Sequence, residues 1–279
     1  MNIQYETAEA LQKFADRIRY CAIKSMYAAG GGHAGGVLSL CELMAVLYGS
    51  VMNYDPANPR DVHADKVVLS KGHCGPVLYA ALALSGFFPV SELDTLNKNG
   101  GRLPSHCDMN KTPGVDMTTG SLGQGASTAA GMALGKKLQR RKGNVFLVLG
   151  DGELNEGQVW EMAMFANQHK LDNLITYIDW NHQQLDGYAD AICHMGDIAA
   201  KFAAFGFEAS AIDGHDPALI REKTLRVLSE KNGVPKCIVL DTVKGKGWSV
   251  TEGRTGIHHI AIDAEMMAAA EAEFTGKVN

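Results

Sequence analysis

An α/β domain, with a parallel β-sheet flanked by helices on both faces, is the architecture this sequence predicts. Short apolar runs alternate along the chain with helical patterns, and most of those runs lack the polar alternation of a strand with one wet face. The 279 residues show no internal repeat, low-complexity tract or linker, so one domain over residues 1–279 is expected.

The elements follow in order. Leu11, Phe14, Ala15, Ile18, Ala22 and Met26 recur at helical spacing, and Val37, Leu40, Leu43, Met44, Leu47 and Val51 do so again, which predicts two long amphipathic helices. Between them, Gly30 to Gly36 places five glycines around His33, and the entropy that glycine loses on ordering argues against helix there. Residues 67–69, 145–149, 174–178, 207–212 and 237–243 read as strands, and 159–168, 198–205 and 217–228 as helices. Residues 99–123 and 244–259 fit neither pattern. Long loops inside a compact domain are usually functional, and both of these carry glycines and histidines.

Composition excludes several function classes. A formal charge of -5, without a long run of like charges, gives no footprint for nucleic acid or an anionic membrane. No stretch approaches the length of an apolar membrane span, and residues 1–14 lack the pattern of a signal peptide. The six cysteines are scattered, form no CxxC pair and suggest reduced thiols in a cytoplasmic setting. Cys74, Cys107 and Cys193 adjoin histidines, but sequence neighbours rarely point at one tetrahedral ion, so a zinc site is not expected.

The chemistry concentrates at two strand ends. The run 145–149 passes into Gly150-Asp151-Gly152-Glu153-Leu154-Asn155-Glu156-Gly157, where glycines let the backbone approach an anion and the next helix offers free N–H groups. Asn181, in Asp179-Trp180-Asn181-His182-Gln183, follows Asp151 by 30 residues at the end of the next strand. Adjacent parallel strands joined by one helix would bring the two ends together. One carboxylate, one amide oxygen and a nearby backbone carbonyl, completed by diphosphate oxygens and water, suit octahedral Mg²⁺.

These motifs are identified as those of the transketolase family. The similarity runs from Ala8 to His258 and includes Gly32-His33, Val68-Leu69-Ser70-Lys71-Gly72-His73, and Thr118-Thr119-Gly120-Ser121-Leu122-Gly123-Gln124-Gly125. It also includes the Gly150-Asp151-Gly152 block with Glu156, and Lys244-Gly245-Lys246-Gly247 with His258. The resemblance implies a thiamine-diphosphate-binding fold with thiamine diphosphate and Mg²⁺, or Ca²⁺ or Mn²⁺ in its place, as cofactors. It implies that Asp151, Asn181 and the Gln183 carbonyl bind the metal. His73, Gly152, Glu153, Asn181, Lys244 and His258 would meet the diphosphate side of the cofactor, and Gly120, Ser121 and Leu122 the aminopyrimidine. His33, His106 and His258 would line the substrate channel and, with His73, form the catalytic set; Glu156 resembles an interface carboxylate.

Three positions depart from the family pattern. Gly36 stands where human-type members carry a hydroxyl residue able to contact cofactor or metal-bound water. His106 lies in Ser105-His106-Cys107 instead of Gly-His-Pro. His258 is followed by His259 instead of glycine, which leaves open which of the two faces the site.

No counterpart of the family's pyrimidine-binding domain, with its activating glutamate, is expected in the residues after His259. Cleaving a C–C bond beside a carbonyl needs the electron sink that this cofactor supplies. The expectation is therefore a split enzyme, active only with a C-terminal transketolase subunit, as an α2β2 heterotetramer transferring a two-carbon ketol unit from a ketose phosphate or related ketose to an aldose. Alternatives are the α subunit of another two-chain thiamine-diphosphate enzyme, such as a 2-oxo-acid dehydrogenase, and a non-catalytic assembly subunit. The donor sugar is not specified. His63, His169, His182, His194 and His215 are read as ordinary surface or core groups, and the glycines of 120–125 close no strand, which argues against a dinucleotide fold.

Overall fold

A computed structural model describes residues 5–277. Helix α1 (Ala8–Ala28) is capped by Thr7, whose side chain accepts from the Ala10 amide. Strand β1 (Gly31–Gly32) follows, then the short helices α2 (Ala34–Leu38) and α3 (Cys41–Val46), and a π-helical turn over Leu47–Val51. Strand β2 (Lys66–Leu69), α4 (Gly75–Leu84), α5 (Gln124–Leu138), β3 (Val145–Gly150), α6 (Gly157–Gln168) and β4 (Leu174–Trp180) come next. The chain continues through α7 (Ala189–Ile192), α8 (Ile198–Ala204), β5 (Glu208–Asp213), α9 (Pro217–Ser229), β6 (Lys236–Asp241), β7 (Ile260–Ala261) and α10 (Ala264–Phe274).

Five strands form one parallel sheet in the order β2-β3-β4-β6-β5. The apolar runs alternate between its faces. Phe146, Val148, Ile175, Tyr177, Ile238 and Leu240 belong to a core shared with α1, α3, α4, α9 and α10. Val145, Leu147, Leu149, Leu174, Ile178 and Val239 belong to a second core, under α5, α6 and α8. Burial on both faces is what makes these strands read as continuous apolar segments. The edge strand β5 is the exception: all of its residues are at least partly exposed.

Two expectations need correction. The second long helix does not exist as one piece; it breaks at Ser39–Leu40 into α2 and α3 and ends in the π-helical turn. At the break the Ser39 hydroxyl donates to Asp179 at 2.6 Å, and the stretch from Val37 to Leu47 is buried on all sides, so its apolar spacing marks a core segment. The glycine-rich stretch is also partly helical, since α2 includes Gly35 and Gly36. Tertiary bonds hold that turn: the Gly35 amide donates to the Ile257 carbonyl at 3.1 Å, and the Gly245 amide donates to the Gly35 carbonyl at 2.9 Å. Residues 99–123 and 244–259 are irregular apart from short turns, as expected. Among the described residues no helix is long and apolar enough to cross a membrane.

Candidate active site

The carboxyl ends of β2, β3, β4 and β6 open onto one cavity of about 460 Å³. Gly150 pairs with Asp179 across β3 and β4, so the residues that follow each strand start side by side. The Gln183 amide donates to Asp151 Oδ2 at 3.1 Å and to Asn181 Oδ1 at 3.3 Å, so these two oxygens converge on one point. Asp151 Oδ1 accepts from the Gly152 amide at 2.8 Å. Burial pushes the Asp151 carboxyl up to about 6, with the neighbouring Asp179 charge adding to the effect. Meanwhile Lys244 Nζ donates to the carbonyls of Gln183 and Gln184, at 3.0 Å each. A carboxylate short of positive charge, an amide oxygen turned beside it and a carbonyl already holding an ammonium make an oxygen set that fits a hard divalent cation.

Behind this set lies a buried ion pair that the sequence did not single out. Lys71 Nζ meets Asp179 Oδ2 at 2.5 Å, with both side chains essentially excluded from solvent. Burial alone would raise the Asp179 carboxyl, yet Lys71 holds it below the ordinary aspartate range. The same Asp179 accepts from Ser39, from Thr242 at 2.6 Å and from the Asn181 side-chain amide at 3.1 Å. That last bond turns the Asn181 oxygen toward Asp151. Gly36 borders the pair: a Cβ there would lie 2.9 Å from Cys74 Sγ and 3.1 Å from Lys71 Nζ, so thiol and ammonium fill the space beside this glycine.

The histidines gather on one side of the cavity. The His33 ring lies 5.1 Å from His73, 5.8 Å from His106, 5.3 Å from His258 and 4.7 Å from His259. Strand β1 pairs antiparallel with β7, Gly31 opposite Ala261 and Gly32 opposite Ile260, and this joins two segments far apart in sequence. Gly31 permits the approach, since at φ +152 a Cβ would come within 2.4 Å of the Ile260 carbonyl oxygen. Burial, with the neighbouring His258, His259 and His106, lowers His33 to about 4; burial and Lys244 lower His258 to about 4. His73 falls further, through burial and Lys71. Imidazole ¹⁵N spectra of the protein should therefore show His33 and His258 neutral down to about pH 5. A ring titrating near the ordinary histidine value would contradict this environment.

His33, His73, His106, His258, Gly120, Leu122, Asp151, Gly152, Glu153, Asn181, Gln183 and Lys244 all line the cavity. Ser121 is exposed and lies outside that lining, and His259 packs on His33 without joining it, so His258 is the one of the pair that faces the cavity. The Glu153 carboxylate is engaged within the fold, accepting from Ser70, from the Gly123 amide at 2.8 Å and from the Gly150 amide at 3.1 Å. It braces the loop that carries Gly120 against the end of β3. Gly120 lies under His106, where a Cβ would stand 3.0 Å from the ring. Glu156 is exposed at the cavity edge.

Residues 10–277 match the family described as transketolase, thiamine diphosphate binding domain. The chain belongs to the transketolase family. Within it, the chain is 47% identical to the 6-deoxy-6-sulfo-D-fructose transketolase subunit SqwG of Clostridium sp. (strain MSTE9), over 94% of this chain and 95% of that one. It is 33% identical to an apulose-4-phosphate transketolase subunit of Phocaeicola vulgatus, over 97% and 95% of the two chains. Identity to human transketolase is 39%, but the match covers 90% of this chain and only 40% of that one. The fold agrees with transketolase from Leishmania mexicana at a TM-score of 0.88 and 28% identity, over 98% of this chain and 42% of that one. The chain thus spans about two fifths of the length of these long transketolases and nearly the whole of the shorter, subunit-sized relatives.

Proposed function

We propose that this chain is the diphosphate- and metal-binding subunit of a two-chain, thiamine-diphosphate-dependent transketolase. The observation that carries the reading is the convergence of Asp151 Oδ2 and Asn181 Oδ1 on the Gln183 amide, at adjacent strand tips in a chain of this family, with the Gln183 carbonyl turned to Lys244 Nζ. Asp151, Asn181 and the Gln183 carbonyl hold a divalent cation, Mg²⁺ by donor type. Lys244, His73, His258 and the Gly152 backbone meet the diphosphate, with Glu153 bracing the loop and Gly120 and Leu122 bordering the aminopyrimidine. When bound, the cofactor supplies the electron sink needed to cleave the C–C bond beside a ketose carbonyl.

The chain's own part in the reaction is to orient the sugar and exchange hydrogen bonds with its hydroxyls. His33, His106 and His258 face the cavity and serve this role, and His33 and His258 do so as neutral rings able to accept or donate a proton. A C-terminal transketolase subunit supplies the pyrimidine-binding domain and the activating glutamate, in an α2β2 assembly in the cytoplasm. Exposed apolar residues on neighbouring helices, Leu138 on α5 and Met164 and Phe165 on α6, support a partner-covered face along these helices. The donor is a ketose or ketose derivative, in line with the sulfo-ketose and apulose-phosphate named for the two subunit relatives.

The chain co-purified with its companion subunit should transfer a two-carbon unit from a ketose donor to an aldose, with strict dependence on thiamine diphosphate and a divalent metal. Substantial ketol transfer by the single chain, or decarboxylation of a 2-oxo acid by the complex without ketol exchange, would overturn the reading.

A further inference from the structure

We propose that Glu42, on α3 and outside the cavity lining, is a positioning residue that fixes Lys244 by gripping the main chain on both sides of it. The inference rests on Lys244 facing the cofactor diphosphate. Glu42 is 2% exposed and sends its two carboxylate oxygens to different partners. One accepts from the Arg19 guanidinium, and the other lies 3.3 Å from His215 Nδ1.

Each partner then reaches the loop that carries Lys244. Arg19 Nε donates to the Lys246 carbonyl at 2.9 Å, and the Val243 amide donates to His215 Nε2 at 2.8 Å. Because Nε2 accepts, the proton of neutral His215 sits on Nδ1 and points at Glu42. One carboxylate thus sets the backbone at residues 243 and 246, which bracket Lys244. The fit on the Arg19 side is close: a Cβ on Gly247, at φ +82, would lie 2.5 Å from Arg19 Nε. Between the two grips, Lys244 Nζ extends to the carbonyls of Gln183 and Gln184. The Gly245 amide, bonded to the Gly35 carbonyl, passes the same placement to the segment carrying His33.

A carboxylate that served only to neutralise Arg19 would need no histidine aimed at a loop amide. Here α1, α3 and the turn after β5 each contribute one side chain, and both outer partners end on the backbone of one short segment. Such supports hold a ligand-facing group within the tolerance binding requires.

The test is a double-mutant cycle on thiamine diphosphate affinity, measured by calorimetry at saturating Mg²⁺ in the complex with the companion subunit. Glu42→Gln should weaken binding about ten- to a hundredfold in the wild-type background and by far less on top of Lys244→Met. At saturating cofactor kcat should stay near wild type, the loss lying in the apparent KM for the cofactor. His215→Leu removes the Val243 grip while sparing the Arg19 pair, and should give the same non-additive loss even if Glu42→Gln fails to fold. Equal losses in both backgrounds, or no loss, would overturn the positioning role. Unchanged affinity in Lys244→Met alone would overturn the diphosphate reading of Lys244, and the positioning role with it.

Discussion

Replacing Asp151 with asparagine should abolish magnesium-dependent uptake of thiamine diphosphate while raising the melting temperature of the cofactor-free protein. The two effects have one cause. Asp151 is 4% exposed and burial lifts its carboxyl from 3.8 to about 6, so the ionised group destabilises the empty fold. A shift of roughly two units corresponds to about 3 kcal/mol. The sign follows from the direction of the shift: the penalty is absent while the group is protonated in both states, at low pH. It grows as pH rises through the unfolded value, and is complete above the folded one. A bound divalent cation reverses it. Asparagine removes the charge and keeps the shape but gives up one of the two acceptors used by the Gly152 and Gln183 amides, so the substituted protein should gain only part of that penalty at neutral pH and lose the stabilisation that metal and cofactor give. Thermal unfolding at neutral and acidic pH, with and without magnesium and cofactor, separates the terms. An Asp151→Asn protein still stabilised by both additions would rule out the metal role.

Lys71→Met should have the largest effect on folding itself. Removing one partner of a buried ion pair leaves the other charge uncompensated, at a cost of about 3–5 kcal/mol. For a domain of this size that lowers the melting temperature by on the order of 10 °C. Asp179 would keep its bonds to Ser39, Thr242 and Asn181, which moderates the loss without neutralising the charge. Combining Lys71→Met with Asp179→Asn should restore much of the stability. The carboxyl of Asp179 is lowered in the fold, so the pair stabilises above the ordinary aspartate value, and this contribution disappears as pH falls through the lower, folded value. A Lys71→Met protein that melts like the wild type would show that the pair is not the support described.

The strands and the metal corner were legible for a local reason. Residues 145–149 and 174–178 are apolar on both faces, and a single helix between them puts Asp151 and Asn181 at adjacent tips. The second helix was misread because the burial of Val37 to Val51 is nearly complete, so its spacing holds no polar face from which to place a break. The Lys71–Asp179 pair spans 108 positions and the Ser39 bond 140, and nothing local in either segment announces such partners. A lysine in the mostly apolar and glycine-rich stretch Val68 to Gly75, between Ser70 and His73, was the available signal. The choice between His258 and His259 likewise depended on the register of β7 against β1, which no local pattern encodes.

That two-residue pairing also sets an order of assembly. Gly31 and Gly32 leave the ribosome early, whereas Ile260 and Ala261 follow more than two hundred residues later. The imidazole cluster is therefore a late product of synthesis, closed by one of the longest loops in the chain, and a nascent polypeptide halted before Ile260 would carry His33 and His73 without the wall that completes their surroundings.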